Sequence, residues 1–99
     1  MEKGKIAVLG TFTAKDGHEE NLKSVLVEMA GEAKKDVGCL RFDLLQSPEN
    51  NKIFMFSELW ESETAVAEHL KMPYLLKYRE RRAPFLAEGP EVTQWKVID

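Results

Sequence analysis

The segment Ile53 to Trp60, IFMFSELW, carries apolar side chains on both of its alternating faces. Phe54, Phe56, Glu58 and Trp60 fall on one face, and Ile53, Met55 and Leu59 on the other. Lys5 to Thr13, KIAVLGTFT, behaves the same way, with Ile6, Val8 and Phe12 set against Ala7 and Leu9. A strand with one wet face alternates cleanly between apolar and polar residues, so these strands call for a cover on both sides. Helices of the chain can supply one cover. A second copy of the chain, packed sheet against sheet, is the simplest source of the other.

The helices are legible beside the strands. Asp16, with Glu19 three residues on, reads as a capping box. Leu22, Val25, Leu26, Met29 and Ala33 then recur at helical spacing, and Gly38 stands where a C-terminal cap belongs. Cys39 to Gln46 and Ile53 to Trp60 form a hairpin around Ser47-Pro48-Glu49-Asn50-Asn51-Lys52. Ser62 is an N-cap for a short helix from Glu63 to about Lys71, which Pro73 interrupts. A further helical run, Tyr74 to Arg82, ends near Pro84, and Glu91 to Ile98 closes the chain as a strand. The order is β-α-β-β-α-β with a broken second helix. This is an α+β, ferredoxin-like arrangement with a four-stranded antiparallel sheet, read as one domain over residues 1–99.

Composition removes several function classes. The 99 residues carry a net charge of −3, which argues against a nucleic-acid partner. The one dense basic stretch, Lys77, Arg79, Arg81 and Arg82, is interrupted by Glu80 and reads as a solvated helix face. Ile6 to Leu9 is too short for a membrane span or a signal-peptide core, so no membrane is expected. Cys39 is the only cysteine, which points to a reducing, cytoplasmic setting. It reads as a small buried residue rather than a nucleophile. No metal-ligand spacing, phosphate-cradling loop or dinucleotide fingerprint occurs.

Gly38-Cys39-Leu40-Arg41-Phe42, Pro48, Phe54 to Trp60 running into Glu61-Ser62, His69-Leu70 and Pro73-Tyr74 form an ordered set. In that order, and over almost the whole chain, the sequence resembles the antibiotic biosynthesis monooxygenase family. The resemblance implies a dimeric α+β barrel, with a pocket between sheet and helices in each subunit. It also implies a small-molecule substrate. Members include cofactor-independent monooxygenases of quinols and aromatic polyketides, haem-degrading enzymes, and an isomerase of a phosphorylated signalling sugar. The segments LRFD-LQ-PE-N and AVA-H---PY are similar to the isomerase branch. The positions that hold haem in the degrading branch are Gly10, His69 and Arg79 here, which do not suit haem. No cofactor is expected. Tyr74 stands where many relatives have a histidine, so a two-histidine mechanism is not implied.

His69 is the candidate catalytic residue. It follows Ala65 and Val66 at helical spacing, and an imidazole near neutral pH suits a general base. The competing reading is a half-buried histidine bonded to backbone. Glu58 and Trp60 share the face of Phe56. In an apolar pocket Glu58 would have a raised pKa, whereas the structural alternative, an ion pair with Arg41 or Arg79, is the favoured reading. The indole N–H of Trp60 is a candidate donor to a bound oxygen. Tyr74 and Tyr78, four residues apart, could bring hydroxyls to the pocket or simply pack. Arg41 and Arg79 are candidates for an anionic substrate. Phe12, Phe56, Trp60, Leu70 and Tyr78 are the expected walls of a dry pocket, and His18 is expected to be solvated. The leading expectation is a cofactor-independent monooxygenase of a small phenolic or quinol compound. The alternatives are an isomerase of a phosphorylated hydroxy-carbonyl compound and a dimeric binding module without turnover.

Overall fold

The computed structural model describes residues 4–99. The strands are β1 (Ile6–Ala14), β2 (Cys39–Gln46), β3 (Ile53–Trp60) and β4 (Leu86–Lys96), and the helices are α1 (Glu19–Ala33), α2 (Glu63–Leu70) and α3 (Tyr74–Arg82). The sheet runs β2-β3-β1-β4 with every neighbour antiparallel. This is the ferredoxin-like α+β fold, with the second helix split in two.

The helices cover one face of the sheet. Ile6, Val8, Phe12 and Ala14 of β1 point to it, and so do Phe42 of β2 and Phe54, Phe56, Glu58 and Trp60 of β3. Leu22, Val25, Leu26, Met29, Ala30 and Ala33 close over them from α1. Trp60, Phe42, Phe54, Phe56, Leu22 and Leu26 are fully buried. Each contributes about 1.5–3 kcal/mol through removal of its apolar surface from water. The rings interlock: Phe12 meets Phe56 edge-on at 5.3 Å, and Phe42 lies 4.8 Å from Phe56.

The other face is open among the described residues. Its residues come from the alternate positions, and Leu45, Ile53 and Trp95 are exposed there. Arg41, paired in register with Leu59, and Asp43, paired with Ser57, also lie on this side.

Several local expectations are corrected. The capping box does not form: α1 starts at Glu19 with His18 at its N-cap and no side-chain cap. Asp16 is drawn away by Lys52, whose Nζ lies 2.7 Å from its carboxylate. Gly38 does not cap α1, which ends at Ala33. It opens β2 instead, at φ +86°, where an added Cβ would stand 2.5 Å from Cβ of Ala65. Only glycine permits that approach of α2 to the strand. The last strand begins at Leu86 rather than Glu91, because the irregular stretch around Gly89-Pro90 still pairs with β1. Ser62 does cap α2, accepting from the Ala65 N–H at 3.0 Å.

Candidate functional site

Three elements converge on His69. The last turn of α2 carries the imidazole, β3 places the Trp60 indole 4.5 Å from it, and the turn between α1 and β2 brings in Asp36. The side chains of His69 and Asp36 are 5% and 8% exposed, with Nδ1 2.7 Å from Oδ2. A carboxylate accepts, so Nδ1 carries a hydrogen, and in a neutral imidazole held this way the lone pair is on Nε2. Nε2 makes no hydrogen bond among the described residues. Tyr74 donates its hydroxyl to the same Asp36 oxygen and lies 3.2 Å from Nδ1. Burial first, then the bond to Asp36, hold the Tyr74 hydroxyl far above its usual pKa, so it remains a donor.

His69 borders two hollows. The outer one, about 320 Å³, lies on the Asp36 side against Lys35, Glu68 and Met72. The inner one, about 150 Å³, lies between sheet and helices. Its walls include Phe12, Phe56, Val66, Leu70 and Leu75, and its rim includes Pro90, Val92 and Gln94 of β4. Glu58 and Arg82 are its ionisable members beside His69.

Glu58 is 7% exposed and accepts the indole N–H of Trp60 at 2.9 Å. The expected ion pair with Arg41 or Arg79 is absent among the described residues. Arg41 lies across the sheet and Arg79 is exposed. Burial pushes the Glu58 carboxyl up to about 7, with the indole bond pulling weakly the other way.

The structure brings His69, Phe56, Glu58, Trp60 and Tyr74 together; His69, Phe56 and Glu58 line the cavity, while Trp60 backs the imidazole and Tyr74 reaches Asp36. Two candidates stand apart. Arg41 is on the open face, its Nε 3.1 Å from Asp43. Tyr78 has a buried ring, but its hydroxyl donates to Glu32 of α1 at 2.8 Å, away from the cavity. Sequence reasoning missed Asp36 and Arg82. Asp36 lies 33 residues from His69 in a turn, and no periodicity reaches it. Arg82 was accessible, because it follows Tyr78 by one helical turn and shares its buried stripe. Cys39 is a free, half-buried thiol, pushed above its ordinary pKa mainly by burial, which suits an inert residue. The described residues hold no cluster of three metal-ligating side chains, and no helix is long and apolar enough to cross a membrane.

Comparison with known proteins places this chain in a family. The chain is 27% identical over 94 residues to "Putative monooxygenase Rv0793" of Mycobacterium tuberculosis, covering 95% of this chain and 92% of that protein. It is 21% identical to an uncharacterised Synechocystis protein, of whose length it spans 64%. The crystal structure of PA3566 from Pseudomonas aeruginosa superposes with a TM-score of 0.89 at 22% identity, over 100% of this chain and 99% of that one, which shows the shared fold. The sequence model for antibiotic biosynthesis monooxygenases matches residues 5–81. The chain therefore belongs to the antibiotic biosynthesis monooxygenase family.

Proposed function

We propose that the inner cavity binds a small phenolic or quinol substrate and oxidises it with dioxygen, with His69 taking the phenolic proton. The observation that carries this reading is the buried Asp36–His69 pair beside an apolar cavity. Asp36 holds Nδ1–H, fixing the tautomer in which Nε2 is the base, and stabilises the imidazolium that forms. The phenolate left behind is electron-rich, and a water-poor site sustains its reactivity toward dioxygen. For a quinol the balance closes without another reductant. One oxygen atom enters the ring, the other leaves as water, and the substrate supplies all four electrons in becoming a hydroxyquinone.

Glu58 favours a second reading. A carboxyl poised near pH 7 and a histidine base in one cavity form a proton-donating and proton-accepting pair, as an isomerase of a hydroxy-carbonyl compound requires. The open sheet face, with Leu45, Ile53 and Trp95 exposed, supports a homodimer formed through it. The free thiol Cys39 fits a cytoplasmic setting.

Oxygen uptake by the purified protein with a panel of quinols and hydroxylated aromatics, against protein-free controls, tests the proposal. Protein-dependent uptake with release of the hydroxylated quinone is expected. Ligand turnover without uptake would transfer the site to the isomerase reading, and binding without turnover to a non-catalytic module.

A further inference from the structure

Arg82 is the one cation of the α3 basic run that the fold buries. Lys77 pairs with Glu32, Arg81 pairs with Glu28, and Arg79 is exposed. Arg82 is 8% exposed, its guanidinium stacked 5.1 Å over the Phe12 ring. Its Nε is buried without a hydrogen-bond partner, and it makes no ion pair among the described residues. Glu58 lines the same cavity, but its Oε1 accepts the indole N–H of Trp60.

A guanidinium offers five N–H donors in a rigid fork and keeps its charge. Buried groups of this kind are ordinarily hydrogen-bonded and paired, so a guanidinium that lines a cavity with no ion pair among the described residues signals a partner supplied from outside the chain. That partner brings an acceptor oxygen and negative charge. The remaining walls select the rest of the ligand. Phe12 and Phe56 present an edge-to-face pair, with Val66 and Leu75 beside them, and a space of about 150 Å³ suits a single aromatic ring.

We propose that Arg82 is the anion-binding residue of this cavity and that its ligand is a single-ring aromatic compound bearing an anionic oxygen substituent, such as a carboxylate. The inference rests on the cavity being the site for a phenolic substrate. It narrows that class to phenols with an anionic group distinct from the hydroxyl offered to His69. Arg82 then fixes which end of the ring enters.

Isothermal titration calorimetry without dioxygen tests this, using benzoate and its neutral analogue benzamide as probes. Benzoate is expected to bind at least tenfold more tightly than benzamide. Arg82→Met, which keeps the aliphatic stem over Phe12, should erase that preference while changing benzamide affinity less than threefold. Equal affinities in the unmodified protein, or a preference that survives in Arg82→Met, would overturn the assignment. Should Arg82→Met fail to fold, the unmodified protein still decides by NMR. The guanidinium N–H resonances of Arg82 should shift more on saturation with benzoate than with benzamide, and equal shifts would overturn it too. Neither readout involves turnover. Equal binding of benzoate and benzamide by the unmodified protein therefore counts against Arg82, whereas absent oxygen uptake counts against the oxidation chemistry.

Discussion

Arg41, Phe42 and Asp43 are consecutive in β2, yet they belong to two different molecules in a physical sense. Arg41 and Asp43 stand on the open face as an ion pair, with side chains 56% and 49% exposed. Phe42 stands on the covered face, 1% exposed, against Phe56, Trp60 and His69. The same contrast separates the ionisable groups. On the open face an arginine meets an aspartate in water. Under the helices, Glu58 and Arg82 line one cavity, water is largely removed, and each is left without a charged partner among the described residues. What sets the surroundings of a carboxyl or a guanidinium here is the helical cover, and the residue type contributes only after that.

The largest effect that would sharpen this contrast comes from Phe42→Ala. It should cost about 3–5 kcal/mol in denaturant unfolding, because the cavity it leaves is walled by rigid aromatic rings. A cost below about 1 kcal/mol would mean that the covered face is not the core. Glu58 comes next, through pH. Its folded-state pKa of about 7 lies above the ordinary 4.5, so the folded protein keeps a proton that the unfolded chain has already released. Stability should then be fullest below about pH 4.5 and fall as the pH rises to about 7, by up to about 3 kcal/mol for this group. Glu58→Gln, which retains an acceptor for Trp60, should flatten that part of the profile. An unchanged slope would show that Glu58 is not desolvated.

Gly38→Ala probes how α2 meets β2. At φ +86°, and with Ala65 in the way, alanine should cost about 1–3 kcal/mol and displace α2, so turnover should fall as well. Full stability would contradict the tight approach of α2 to β2. Smallest of all, Arg41→Ala should change stability by less than about 1 kcal/mol and leave turnover intact, since exposed pairs contribute little. A large loss of turnover would bring Arg41 back into the site.

Much of the covered face was legible because strands and helices announce themselves by period. The alternation in β3 placed Phe54, Phe56, Glu58 and Trp60 together, and the spacing in α1 picked out Leu22, Val25, Leu26, Met29 and Ala33 as its core stripe. What escaped depended on partners far away in the chain. Asp16 left its capping role for Lys52, 36 positions on. Asp36 reaches His69 from a turn, where no repeating pattern marks the direction of a side chain. Glu58 was assigned an arginine partner that the sheet puts on its other side, since a one-residue step in β2 separates Arg41 from the covered face. Arg82 was hidden by its neighbours: a run of basic residues reads as a wet surface, although its spacing from Tyr78 places it inside.

On the proposed mechanism His69, held by Asp36, is the base of the cavity. The direct measurement is oxygen uptake by His69→Ala beside the unmodified protein, at matched concentration and with circular dichroism to verify folding. Uptake should fall by two orders of magnitude or more, in line with the usual contribution of about 10²–10⁴ from a general base. A folded His69→Ala protein that consumes oxygen at the original rate would contradict it.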